Sequence, residues 1–193
     1  GVVKIEFMPK KLPTPCPKCG GKIVVQLNGY ACENYINKRE DIEHRCLYIP
    51  KYFNGVELSQ KDVTDLLSEK RTSFLEGFKS GNGIYFDARL LLTQEYNLLF
   101  DSVLCSCPKC GGNIFSGRKS YNCSNFKDET IKCNFTVWKE MKGRKIMPAE
   151  VIDLCTNNKS KLLYGFYTKD HKTYDAYLAF DENYKVVITS QID

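Results

Sequence analysis

Eight cysteines in this chain fall into two sets whose spacing suits a tetrahedral metal. Cys16, Cys19, Cys32 and Cys46 read C-x2-C-x12-C-x13-C, and Cys107, Cys110, Cys123 and Cys133 read C-x2-C-x12-C-x9-C. Two cysteines separated by two residues and followed by glycines form a knuckle. The chain turns tightly enough there for both sulfurs to face one point, and a second pair from a neighbouring loop completes a site with metal–sulfur bonds of about 2.3 Å. A lone C-x2-C also serves as a redox dithiol, and cysteine-rich chains can instead carry disulfides. A redox pair does not need third and fourth cysteines at matched distances, and the spacing favours metal over either alternative, so the expectation is two Zn2+ per chain.

Four thiolates close the tetrahedron and leave no position for a water, and no His/Glu arrangement builds a hydrolytic centre. The expected role of the metal is structural, because a ribbon of about 40 residues buries too little apolar surface to fold unaided. The two remaining cysteines fall outside this scheme. Cys155 aligns with Leu67 in an internal repeat and reads as a small buried hydrophobe, while Cys105 aligns with Thr14 and is left out of the ligand sets. His44, two residues before Cys46, is a stand-in ligand at most, and His171 falls in a turn.

The elements that must position the sulfurs are repeated with them. CPKCGG occurs at Cys16 and again at Cys107. At an offset of 91, Cys16, Cys19, Gly20, Gly21, Ile23, Tyr30, Cys32 and Asn34 recur as Cys107, Cys110, Gly111, Gly112, Ile114, Tyr121, Cys123 and Asn125. Past the fourth cysteine the offset is 88, and Gly55, Val63, Asp65, Leu66, Gly77, Asp87, Leu90 and Tyr96 recur as Gly143, Val151, Asp153, Leu154, Gly165, Asp175, Leu178 and Tyr184. The predicted organisation is therefore two tandem units, 1–103 and 104–193, each a small α+β module. In the first, a four-cysteine zinc ribbon covers about 14–56 and a helix-plus-hairpin part about 57–100; in the second they cover about 105–145 and 146–190.

Within each unit the runs KIVVQLNGYAC and NIFSGRKSYNC read as two short strands around a turn. SQKDVTDLLSEK offers Ser59 as N-cap with Asp62 three residues on, and MPAEVIDLC puts Pro148 in a helix's first turn. Apolar stretches around SGNG, and the matching LLYGFYTKDHKTYDAYLAF, read as a small antiparallel sheet under each helix. With 42% hydrophobic residues there is enough apolar material to fold, and no window approaches the roughly 18 apolar residues of a membrane span. GVVKIEFMPKK lacks the pattern of a secretory signal, and without an initiator Met the chain reads as a piece of a longer one.

These residues carry a resemblance. CPKCGGNIFSGRKSYNCSNF, then CNFTVWKEMKGRKI, a short helix and LLYGFYTKDHKTYDAYLAF resemble the C-terminal zinc-binding repeat of bacterial type IA DNA topoisomerases, topoisomerase III in particular. The second copy keeps YNCSN and the pair Phe135 and Trp138; the first has ENY in place of SNF and no tryptophan. In that family such repeats trail the catalytic core and are implicated in holding single-stranded DNA and in protein contacts. The resemblance implies a cytoplasmic parent enzyme that breaks and rejoins a DNA strand through a tyrosine with Mg2+ bound by acidic residues. This chain shows no D-x-D cluster and no such tyrosine setting, so it is expected to be no enzyme by itself.

Aromatic faces stack unpaired bases without regard to sequence, and Tyr35, Tyr121, Phe126 and Trp138 are the candidates near the metal sites. Tyr30 and Tyr121 lie on the strand face of the following cysteine, which is equally a place for core packing. The formal charge of +5 falls to about +1 once each zinc site is counted as −2, so global steering to phosphate is weak. Residues 1–103 hold 14 basic and 13 acidic side chains, residues 104–193 hold 14 and 10, and the second unit is the better phosphate contact. Its candidates are Lys109, Arg118, Lys119, Lys127, Lys142, Arg144 and Lys145. Two alternatives stay open: a zinc-ribbon docking module for replication or transcription proteins, and the same repeat borne by another replication or mobile-element protein.

Overall fold

The computed structural model describes residues 9–37 and 46–190, and His44 lies outside them. The chain divides into two compact units, 1–101 and 102–193. Both are small α+β modules built from antiparallel sheets. Among the described residues no helix is long and apolar enough to cross a membrane.

The first unit begins with a ribbon of β1 (Ile23–Val25), β2 (Gly29–Cys32) and β3 (Tyr48–Pro50), with α1 (Glu33–Asn37) after β2. A two-stranded hairpin follows, β4 (Tyr52–Phe53) and β5 (Val56–Glu57), then α2 (Gln60–Glu69) and a meander of β6 (Leu75–Lys79), β7 (Tyr85–Leu92) and β8 (Leu98–Asp101). In the second unit the ribbon gains an edge strand, running β12–β11–β10–β9 from β9 (Val103–Ser106), β10 (Asn113–Ser116), β11 (Ser120–Cys123) and β12 (Thr136–Trp138). The small hairpin is β13 (Glu140–Met141) and β14 (Arg144–Lys145), the helix α3 (Pro148–Asn157), and the meander β15 (Leu163–Tyr167), β16 (Thr173–Phe180) and β17 (Val186–Thr189).

Both helices start where the sequence predicts. Ser59 accepts from the Asp62 amide at 3.1 Å and the Asp62 carboxylate accepts from the Ser59 amide at 2.9 Å, so two of the helix's orphan donors are satisfied at once. Met147 has no oxygen to offer at the start of α3, and only the reciprocal bond forms, from its amide to Glu150 at 2.9 Å. Pro148 in the first turn removes one donor that would otherwise need a partner. Both helices end in a left-handed residue, Lys70 and Asn158. Val63, Leu66 and Leu67 of α2 join Phe78, Ala88 and Leu90 of the meander in one core with Cys16, Ile23 and Tyr30 of the ribbon.

The identities between the units have physical causes. Gly77 and Gly165 sit at φ of +88° and +85°, inside matching bulges of β6 and β15, and each amide donates to the carboxylate of Asp87 or Asp175, at 3.0 and 3.2 Å. A bulge leaves an amide outside the ladder, and the aspartate satisfies it. The small hairpins turn at Asn54–Gly55 and Lys142–Gly143 with positive φ at both residues, the geometry of a tight two-residue turn. The hydroxyls of Thr72 and Ser160, both buried, take the place of a ladder partner by accepting from the amides of Leu90 and Leu178 at 3.0 and 2.8 Å.

Candidate metal centres and nucleic-acid interface

In each unit the four predicted cysteines converge, all sulfurs of a tetrad lying within 4.8 Å of one another. Metal–sulfur bonds of about 2.3 Å give a tetrahedron with edges of about 3.8 Å. The sulfur separations are of that order, from 3.2 Å for Cys19–Cys46 through 3.4 Å for Cys16–Cys46, Cys19–Cys32 and Cys110–Cys123 to 3.8 Å for Cys107–Cys133. No cysteine is in a disulfide. The donor set is soft, closed and compatible with zinc in both units.

The knuckles show why CPKC is followed by two glycines. The Cys16 amide donates to the Gly21 carbonyl at 2.8 Å and the Gly20 amide back to the Cys16 carbonyl at 2.8 Å; Cys107, Gly112 and Gly111 repeat the pair at 2.6 and 2.8 Å. Gly20 and Gly111 take φ of +73° and +75° to close the turn. A Cβ on Gly21 would lie 3.1 Å from the Cys32 sulfur, and one on Gly112 3.0 Å from that of Cys123, so the second glycine makes room for the thiolates.

Amide donors surround the sulfurs. Asn34 Nδ2 reaches Cys19 at 3.2 Å and Asn125 Nδ2 reaches Cys110 at 3.6 Å, which accounts for the repeated asparagine. Burial works against ionisation of Cys19, yet the Gly21 amide, Cys46, Asn34 and Cys32 together hold its pKa down to about 6. Cys110 is held at about 7 against burial by the Gly112 amide and its three sister thiols. Burial pushes Cys32, Cys46, Cys107 and Cys123 the other way. A bound cation is what allows all four of a tetrad to ionise together.

The two non-ligand cysteines meet each other. Cys155 on α3 lies against Cys105 on β9, and that neighbour, followed by burial, pushes the Cys155 thiol far up. Its likeness to Leu67 holds for position in the helix, but Cys155 is only half-buried where Leu67 is enclosed.

Trp138, at the end of β12, is 56% exposed and stands between two clefts. One, of about 490 Å³, is lined by Arg118, Lys119, Lys139, Glu140 and Lys145; the other, of about 460 Å³, by Lys109, Asn134, Tyr184 and Lys185 among others. Of the sequence-predicted contacts, Lys109, Arg118, Lys119 and Lys145 thus gather around one indole. Phe126 is also exposed, in the 3-10 turn Ser124–Lys127, but it lines neither cleft. Tyr35, in the first unit, stacks on Tyr48 with ring centroids 5.3 Å apart. Lys142 lies at the tip of the β13–β14 hairpin, beside a different cleft.

Two expected contacts are corrected. Tyr121 is fully buried, with its hydroxyl donating to the Ile146 carbonyl at 2.9 Å, so its ring has no face for a base. Arg144 makes a two-pronged ion pair with Glu150 at 2.8 and 2.6 Å, donates from Nε to the Tyr164 carbonyl at 2.8 Å and lies over the Phe166 ring. With its side chain 16% exposed it braces the small hairpin against α3 and is not open to phosphate. Tyr184 and Lys185 enter the Trp138 region without having been expected, because the turn that carries them reaches the ribbon only in the folded unit.

Fold and centres together define a tandem array of four-cysteine ribbon repeats, each fused to a helix-and-meander module. The family model described as the C-terminal repeat of topoisomerase matches residues 47–101 and 132–190, and the chain belongs to that family. It is also 27% identical over 180 residues, 89% of its length, to DNA topoisomerase 1 of Bacillus anthracis, of which the match spans about a fifth, 20%. No solved structure matches it.

Proposed function

We propose that this chain is the zinc-binding, single-stranded-DNA-gripping accessory region of a cytoplasmic type IA DNA topoisomerase of the topoisomerase III kind. Each unit acts as one repeat with a structural Zn2+, and strand cleavage with its Mg2+ belongs to a catalytic core outside this chain. Membership of the topoisomerase repeat family supports the attachment to such an enzyme. Ten thiols free of disulfides suit a reducing compartment.

The observation that carries the DNA reading is Trp138, a large aromatic left exposed and flanked on both sides by cationic clefts. A hydrophobic core gains nothing from it there, whereas unpaired bases gain a stacking face and their phosphates gain lysine and arginine partners. The backbone is read through charge, so binding is not expected to depend on sequence.

A salt titration tests this. Labelled single-stranded oligonucleotide should bind the metal-loaded chain at low salt, and with about four phosphates neutralised the logarithm of the affinity should fall with that of salt at a slope of about −3. Absence of binding at low salt would leave the protein-docking role for replication or transcription partners.

A further inference from the structure

The second unit holds another cleft, away from Trp138, that family membership does not assign. It encloses about 640 Å³ and is lined by Lys142, Gly143, Tyr167, Lys169, His171 and Tyr174 among others. No carboxylate is in that lining.

Tyr167 is held as a platform. Its amide donates to the Lys142 carbonyl at 2.9 Å, fixing the end of β15 to the tip of the small hairpin. A Cβ on Gly143 would come 2.8 Å from Cδ2 of Tyr167 and 3.6 Å from the ring carbons on either side of it, so the Cδ2 edge of the ring abuts that glycine. One edge of the phenol is thus held against backbone while the residue remains 43% exposed. The turn carrying Lys169 and His171 is closed on itself, the Thr168 amide donating to the Lys172 carbonyl at 2.9 Å and the His171 amide to the Thr168 carbonyl at 3.1 Å. Tyr174 is anchored from below by Phe166, with ring centroids 5.7 Å apart. A rigid aromatic face rimmed by cations costs little ordering on binding.

The first unit shows what the fold alone requires at this place. Lys79 stands where Tyr167 stands, its amide makes the same bond to the Asn54 carbonyl at 2.7 Å, and its Cβ lies 3.8 Å from where one on Gly55 would be. The backbone geometry is complete without an aromatic ring. Tyr167 is therefore an addition of the second unit, not a structural need of the module.

We infer that the Tyr167 cleft is a second base-stacking subsite for single-stranded nucleic acid, with Lys142 and Lys169 as its phosphate partners. The inference rests on the DNA reading of the Trp138 face. What joins the two subsites is the β13–β14 hairpin: Glu140 and Lys145 at its base line the Trp138 cleft, and Lys142 and Gly143 at its tip line this one. Base and tip are two residues apart, about 7 Å of strand, which a nucleic-acid strand covers in about two nucleotides at helical rise. A strand held at the Trp138 cleft would be led along the hairpin towards the Tyr167 cleft, with Arg144 bracing the hairpin through Glu150.

The experiment compares wild type, Trp138→Ala, Tyr167→Ala and Tyr167→Phe for binding a fluorescein-labelled oligothymidylate of about 15 nucleotides. Metal content and unfolding midpoint are measured on each, and the first unit's Lys79 indicates that truncation at Tyr167 leaves the fold intact. Tyr167→Ala should weaken binding about 5- to 100-fold and Tyr167→Phe should restore it. An oligonucleotide carrying 5-iodouracil should photocrosslink at Tyr167. If wild type binds, Trp138→Ala weakens it and both Tyr167 variants bind like wild type, the subsite is overturned and the Trp138 reading stands. If wild type does not bind at all, the Trp138 reading fails and takes this subsite with it.

Discussion

The Tyr121 hydroxyl donates to the main-chain carbonyl of Ile146 at 2.9 Å, joining the metal ribbon of the second unit to the start of its helix. Tyr30 makes the same bond to Leu58 in the first unit, at 2.8 Å. Both acceptors belong to residues with no exposed surface. The ribbon and the helix module of each unit are thereby tied together, through a side chain two residues before a cysteine of the tetrad.

Tyr121→Phe should test that tie. It leaves the Ile146 carbonyl buried without its partner, a cost of about 1–3 kcal/mol. Chemical denaturation should report that loss while metal content and oligonucleotide affinity stay at wild-type values.

Metal analysis should return two equivalents of zinc per chain, and Cys110→Ser should leave about one. Chelation should unfold the ribbons, read as loss of near-ultraviolet tyrosine and tryptophan dichroism, since binding free energy and folding free energy are the same quantity in such sites.

Cys105→Ala combined with Cys155→Ala should leave both equivalents in place. These thiols face each other across β9 and α3 and belong to neither tetrad, although Cys107 of the second is near enough to act on Cys155. A drop in metal content in the double variant would mean that one of them exchanges into the second centre.

Trp138→Ala should lower affinity for single-stranded oligonucleotide by about 1–3 kcal/mol, the worth of one stacked base. The salt slope should not change, because the neighbouring cations remain. Metal content should be unaltered.

Gly77→Ala and Gly165→Ala should each cost about 1–2 kcal/mol of stability. A Cβ at either position meets nothing within 4 Å, so the penalty is purely that of forcing an L-residue to φ of +88° or +85°. Thermal or denaturant unfolding of the metal-loaded protein measures it.

The cysteine tetrads are legible from spacing because a C-x2-C knuckle is a local structure, encoded in six residues, and the third and fourth cysteines recur with it in both units. The capping box at Ser59 and the proline at the start of α3 are local in the same way. The small hairpins carry a local signal too, Asn54–Gly55 between apolar residues, and go unnoticed only because each strand is two residues long. Thr72 and Ser160 are not an identity between the units, yet a threonine in one and a serine in the other supply the same hydroxyl. Arg144 misleads for a different reason. Charge composition counts it as surface, whereas Glu150 in the first turn of α3 and the Tyr164 carbonyl of β15 come to it only through tertiary folding. Tyr121 likewise sits on a strand face whose burial depends on where the helix docks.

In each tetrad the side-chain amide donor falls on the sulfur that a reagent meets early. Cys19 is the exposed member of its set and Cys110 is more open than its three buried sisters, and these two receive Asn34 and Asn125. Hydrogen bonding draws electron density from a thiolate and blunts its attack on electrophiles. With a metal holding all four as thiolates, the most reachable corner of each cluster is thus blunted by a side-chain hydrogen bond at the point of easiest access.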